Sequence, residues 1–309
     1  MKRFEELCKM SQVELKEYLT KYMREKYGDV VTGDGYVYAK GNFPVMLVAH
    51  MDTVHEKQIE QIVYTDKGNV ISSPQGIGGD DRCGIYMILK IIEDYKCSVL
   101  FAEDEEKGCI GSKKFVNAMS EEKIEIPVVN YLIELDRKGK DDAVFYDCDN
   151  PEFEDFIFAN KEWKLDFGTY TDITELAPAL GVAAVNFSCG YYNAHTTKEY
   201  VVMSEMEDNI NKVKNLLGRT NENDWFEYIE AEYFGRKSFG GDVWSYNSDW
   251  FDDYDNQHNT YYIFASKKGK YFEEEVYAVS EQEAIGKFLI NYPELCYINI
   301  DGVFCDDSM

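Results

Sequence analysis

A chain of 309 residues, 45% hydrophobic and 15% aromatic, has enough apolar side chain for one large core or two domains. Its formal charge of −26, from 58 acidic and 32 basic residues, argues against nucleic acid or an anionic membrane surface as a partner. No run of about 18 apolar residues marks a membrane-spanning helix, and Met1-Lys2-Arg3-Phe4-Glu5-Glu6 lacks the apolar stretch of a secretory signal. Eight cysteines, none in a Cys-x-x-Cys pair and several within apolar runs, read as reduced thiols packed as small hydrophobes in a cytoplasmic protein.

The expected elements follow in order. Ser11 and Glu14 form a capping box for a helix carrying Val13, Leu15 and Leu19, with Gly28 as its stop. Val30-Val31 and Tyr36-Val37-Tyr38 flank Gly33-Asp34-Gly35, a hairpin signature. A buried strand over 45–49 leads to His50, and Ile62-Val63-Tyr64 and Val70-Ile71 flank a second turn at Asp66-Lys67-Gly68. After Gly76-Ile77-Gly78-Gly79-Asp80-Asp81 comes a helix with Ile85, Ile88, Leu89 and Ile92 at helical spacing. Strand 98–102, helix 109–119, strands 128–135 and 143–146, and helices near 151–159 and 172–180 lead to a strand over 182–187. Ser204 and Glu207 then read as the cap of a helix whose Met206, Ile210, Val213 and Leu217 make one apolar stripe. Alternating strand and helix predict an α/β layer fold with a largely parallel central sheet over residues 1–218. Residues 219–259 read as an acidic, aromatic linker, and 260–309 as a small α+β module of ββαβ type, with strands near 261–265, 272–279 and 296–300 and a helix from Ser280 to Leu289.

Five stretches carry metal-seeking side chains at the ends of apolar runs: His50-Met51-Asp52, Asp80-Asp81, Glu105-Glu106, Asp136 and His195. Apolar strands that deliver polar groups at their carboxyl ends are how open α/β sheets build active sites. A ligating histidine usually needs a carboxylate on its other nitrogen, so Asp52 reads as the orienter of His50. One carboxylate shared by two cations offsets part of their repulsion. Asp80 is assigned that place, with Asp81 second. Glu105 and Glu106 project differently, so one can hold metal while the other takes a proton from water. His55 and His258 read as ordinary polar residues, His55 close enough to line the cleft, and Asp172, Tyr191 and Tyr192 as cleft residues.

These residues resemble the co-catalytic di-zinc exopeptidases, the superfamily of aminopeptidases, tripeptidases and carboxypeptidases that shares one zinc-peptidase fold. The matching text is Ala49-His50-Met51-Asp52-Thr53-Val54, Gly79-Asp80-Asp81-Arg82-Cys83-Gly84, Glu105 through Ser112, Glu134-Leu135-Asp136 and Asn193-Ala194-His195, in the family's order over residues 1–218. The resemblance implies a three-layer zinc-peptidase-like (phosphorylase/hydrolase-like) fold. It further implies one zinc held by His50 and Asp136, another by Glu106 and His195, Asp80 between them, Asp52 orienting His50 and Glu105 as general base. Cobalt or manganese could substitute for zinc. Only 27 residues lie between Asp52 and Asp80 and 58 between Asp136 and His195, too few for an inserted lid, so a lid-mediated dimer is not expected and the oligomeric state stays open. The expected function is an exopeptidase, foremost an aminopeptidase on short peptides. The alternatives are an N-acyl amino acid amidohydrolase using the same residues, and a catalytically idle, metal-stabilised binding protein.

Overall fold

The computed structural model describes residues 2–125, 127–168, 170–231, 259–267, 270–278, 288, 292 and 300–306. These fall into two compact units, residues 1–165 with 170–229, and residues 166–169 with 230–309.

The first unit opens with α1 (Lys2–Lys9), which the sequence reading did not anticipate, and α2 (Gln12–Tyr27). The Ser11–Glu14 capping box forms as expected, and Gly28 ends the helix at φ 83°, a conformation that favours glycine. Strands β1 (Val31–Gly33) and β2 (Tyr36–Ala39) make the first hairpin, followed by β3 (Phe43–His50). Strands β4 (Val63–Thr65) and β5 (Val70–Ser72) make the second. Then come α3 (Gly79–Ile91), β6 (Cys97–Ala102), α4 (Ile110–Ser120), β7 (Tyr131–Arg137), β8 (Asp142–Val144), α5 (Pro151–Phe158) and β9 (Lys164–Leu165). The unit continues with α6 (Asp172–Leu180), β10 (Ala184–Ser188), β11 (Tyr191–Tyr192), β12 (Tyr200–Val202) and α7 (Met203–Arg219).

Eight strands form one sheet in the order β1-β2-β6-β3-β7-β10-β8-β9. Its centre, β6-β3-β7-β10, is parallel throughout, which the helical crossovers require. Both faces are covered, so the central strands are apolar on both sides. Along β3, Val45, Leu47 and Ala49 pack into the core with α3 and α7, while Met46 and Val48 pack into the one with α4 and α6. This is the expected three-layer α/β architecture.

Several boundaries differ from expectation. Strand β7 starts at Tyr131 and runs to Arg137, so Asp136 lies inside the strand rather than just past it. Helix α7 begins at Met203, one residue before the predicted cap, and Ser204 caps nothing. The Ser204 N–H donates to Asn69 Oδ1 at 3.0 Å and that of Met203 to the Asn69 carbonyl at 2.8 Å, so the helix start is satisfied from another segment. Residues 220–229 pack on the first unit: the Phe226 ring lies 5.1 Å from Phe153 and 6.0 Å from Tyr131. A second sheet, β11-β12-β5-β4, was not foreseen beyond its β4–β5 hairpin.

In the second unit β13 (Asn259–Lys267) pairs antiparallel with β14 (Lys270–Ala278) and β15 (Ile300–Asp306). Tyr261, Ile263, Ala265 and Val276 line its small core with Phe288. The expected helix over 280–289 lies outside the described residues except Phe288, which is helical. The last described strand runs from Ile300 to Asp306, and the strand expected over 296–300 lies, except for Ile300, outside the described residues.

Candidate active site

The carboxyl ends of β3, β6 and β7 lie side by side in the parallel core of the sheet and present His50, the Glu105–Glu106 turn and Asp136 along one rim. Asp80 arrives from the first turn of α3, and His195 from the turn between β11 and β12. His195 adopts a left-handed φ of 62°, uncommon for a residue with a side chain and concentrated at functional turns.

Asp80 faces both imidazoles. Its Oδ1 is 3.0 Å from His50 Nε2, and its Oδ2 is 3.2 Å from His195 Nε2. Asp136 Oδ1 stands 3.5 Å from His50 Nε2, and Glu106 Oε1 is 2.9 Å from His195 Nε2. Two groupings that could hold a cation therefore share one carboxylate: His50–Asp80–Asp136 and Asp80–Glu106–His195, each with its ligand atoms within 4.8 Å of one another. A third grouping joins His50 with Glu105 and Glu106. Donor atoms about 3.3 Å apart are what tetrahedral zinc with bonds of roughly 2.0–2.1 Å demands. Although it is so close to His195, Glu106 Oε1 makes no hydrogen bond among the described residues. Two ligands of one ion stand in that relation, whereas a donor and an acceptor point at each other.

Electrostatics give the same reading. Burial pushes Glu105 up to about 9, with the carboxylates of Asp136, Asp172 and Glu106 adding to it. Burial and then Asp80 raise Asp136 to about 7. Close approach of the Asp80 and Glu106 carboxylates pushes His195 up to about 11. Burial opposes charge on His50, but Asp136 and Asp52 outweigh it and hold the imidazole well above its ordinary range. Burial likewise opposes charge on Asp80, and the two histidines overcome it and hold that carboxyl low. Buried carboxylates crowded in this way call for positive charge, and two divalent cations would supply it. The donor set of imidazoles and carboxylates suits zinc.

Around these groups the chain is tightly bonded. His50 Nδ1 is 3.1 Å from Asp52 Oδ1, and the two Asp52 oxygens accept the N–H groups of Glu105 at 3.0 Å and Glu106 at 3.1 Å. Asp81 turns away: it accepts from Gly84 N–H at 2.8 Å and His50 N–H at 3.3 Å, a fully buried brace. The Tyr191 hydroxyl donates to Asp136 at 3.2 Å, and Asn186 Oδ1 accepts the Asp136 N–H at 2.9 Å. Asp172 is fully buried with neither carboxylate oxygen hydrogen-bonded among the described residues, and burial raises it to about 6. The Tyr192 hydroxyl donates to Glu205. His258 lies outside the described residues.

Three participants went unread in the sequence. Glu199 is fully buried and accepts the Asp80 N–H, Arg82 is buried with its guanidinium on four carbonyls, and Asn186 sits mid-strand. Arg82 lies inside a quoted motif and could have been singled out. Glu199 is one acid among 58 acidic residues, and only the fold distinguishes it.

Comparison with known proteins agrees with the geometry. Residues 35–161 match the profile of Peptidase family M28. Carboxypeptidase G2 of a Pseudomonas species is 33% identical over 118 residues, which cover 34% of this chain and 28% of that protein. The chain thus spans little more than a quarter of the curated relative that it matches. Among solved structures, aminopeptidase PepT of Bacillus cereus superposes with a TM-score of 0.56 at 14% identity, covering 70% of this chain and 96% of that one. A TET aminopeptidase from a Thaumarchaeota archaeon gives 0.53 at 14% identity, covering 71% and 96%. An aminopeptidase of Desulfurococcus kamchatkensis gives 0.52 at 16%, covering 71% and 95%. The structural matches establish the α/β zinc-peptidase-like fold. The resemblance to co-catalytic zinc exopeptidases read from the five motifs is borne out, since the matched segment contains four of them.

Proposed function

We propose that the first unit is a zinc-dependent exopeptidase, foremost an aminopeptidase acting on short peptides, with His50, Asp80, Glu106, Asp136 and His195 as metal ligands. The observation that carries this reading is Asp80, whose two oxygens face two different imidazoles at 3.0 and 3.2 Å. His50 and Asp136 would hold one ion and Glu106 and His195 the other, with Asp80 shared. When bound, two zinc ions supply Lewis acidity that polarises an amide carbonyl and acidifies water.

The remaining steps belong to the chain. Glu105, the half-buried carboxylate beside this cluster, takes the proton of the attacking water and hands it to the departing amine. Its raised affinity for protons lets it hold the proton between the two transfers, and the charge of bound cations would draw it down from about 9 toward the neutral range where a carboxyl both accepts and donates. Asp52 holds His50 by its Nδ1 and the Glu105 turn by two backbone N–H groups, so ligand and base keep one geometry.

A second reading, in which the same residues cleave at a free C-terminus or release an N-acyl group, draws support from the carboxypeptidase match. Zinc-loaded protein offered peptides with a free amino end and amidated carboxyl end, and N-acetylated peptides with a free carboxyl end, separates the two. Turnover of the first set alone is expected; turnover of the second alone moves the assignment to the carboxypeptidase or deacylase type, and no turnover of either leaves the idle binding protein. No helix among the described residues is long and apolar enough to cross a membrane. The six cysteines that are free and buried among the described residues support a reducing, cytoplasmic setting.

A further inference from the structure

Glu199 lies just before β12, four residues beyond His195, and is fully buried. Its Oε1 accepts the N–H of Asp80 at 3.0 Å. Its Oε2 accepts the N–H of Gly78 at 2.8 Å and lies 2.8 Å from His55 Nε2. A buried carboxylate is costly unless its oxygens are bonded, and this one is met by two backbone amides and an imidazole. The loop is pressed against it: a Cβ at Gly79 would stand 3.3 Å from Oε1 and 2.8 Å from the Tyr191 Cβ. On the other side, the Glu199 N–H donates to the Thr196 carbonyl at 3.1 Å, closing the turn that directly follows His195, so the side chain ties this segment to the Asp80 loop.

We propose that Glu199 is a positioning residue that locks the Asp80 loop and the His195 turn together, and thereby governs affinity for one of the two ions in particular. The His50–Asp136–Asp80 ion depends on Glu199 through one ligand. The Glu106–His195–Asp80 ion depends on it through two. The inference rests on the two-metal reading above and adds a residue that touches neither substrate nor metal.

The test is zinc binding to chelator-stripped protein, followed by titration against a competing chelator and by metal analysis. Wild-type protein is expected to bind two ions of resolvable affinity. Glu199→Gln keeps the shape but turns an amide NH₂ toward one of the two backbone N–H groups, and should weaken one ion about 10–100-fold and the other distinctly less. His195→Ala identifies the affected ion, since it removes the same one. Equal weakening of both ions or an unchanged isotherm overturns the proposal, because a merely structural role moves folding and not the ratio of the two affinities. Should Glu199→Gln fail to fold, His55→Leu, which removes one of the three groups meeting the carboxylate, must shift that ratio in the same direction, and an unshifted ratio overturns the proposal. A wild-type protein that binds a single ion defeats the two-metal reading itself and this inference with it.

Discussion

The backbone N–H of Glu105 donates to Asp52 Oδ1 at 3.0 Å, and that oxygen also lies 3.1 Å from His50 Nδ1. One carboxylate oxygen thus serves the proposed base and a proposed ligand together. Asp52→Asn keeps the volume but cannot accept from both the Glu105 and Glu106 amides and still present an acceptor to His50. A loss of about 10–100-fold is expected in zinc affinity and in kcat/KM together, read by competitive metal titration and steady-state kinetics. A variant with wild-type zinc affinity would remove Asp52 from the orienting role.

Glu105→Gln should separate binding from chemistry. The side chain is assigned to proton transfer, so zinc content should remain at the wild-type level while kcat falls about 10²–10⁴-fold. Metal analysis beside single-turnover hydrolysis measures both. Intact turnover would show that another group carries the proton.

Stability of the metal-free protein should fall as pH rises. Folding raises Glu105 to about 9, Asp136 to about 7, Asp172 to about 6 and His195 to about 11. Each of these groups keeps a proton in the folded chain that the unfolded chain releases above about pH 4 for the carboxyls and about 6.5 for the imidazole. The folded state then binds more protons than the unfolded one, so their contribution is present in mild acid and is lost as pH climbs through the folded values. Asp52 and Asp80 are held below their ordinary range and slope the other way, but only in strong acid. Melting temperatures of chelated protein should therefore decline from about pH 5 to pH 9, and zinc should flatten the decline by replacing those protons. A chelated protein that grows more stable over that interval would contradict the electrostatic account.

Arg82 predicts a stability effect at a distance from the chemistry. Its guanidinium is buried and donates to the carbonyls of Met51 at 2.7 Å, Leu7 at 3.2 Å, and Asp52 and Met10 at 3.3 Å. Arg82→Met fills the space but orphans those carbonyls, at a cost of roughly 2–5 kcal/mol. Chemical denaturation of the zinc-free variant measures it, and a loss below about 1 kcal/mol would mean that water replaces the guanidinium.

Much of the site was legible because its chemistry is local to strand ends. A run such as Val45 to Ala49 announces a buried strand, and His50 directly after it can face only the sheet's carboxyl rim. The apolar stripe of α7 was equally plain, since Met206, Ile210, Val213 and Leu217 are all buried. What stayed hidden depends on segments distant in sequence. Glu199 acquires its role only when Gly78 and Asp80, more than a hundred residues earlier, come to rest on it. The β11–β12 strands are too short to carry a periodic pattern, and they exist because β5 offers them an edge.

Asn69 closes the first turn of α7 from 134 residues upstream of Met203, through its own carbonyl and its side-chain oxygen. A helix capped by its own sequence is satisfied locally, whereas the start of this one is satisfied by the β4–β5 hairpin. The first turn of α7 therefore rests on a contact of long sequence separation rather than on its own residues. Circular permutation or cleavage within the hairpin would be felt at the beginning of α7 long before it reached the apolar stripe.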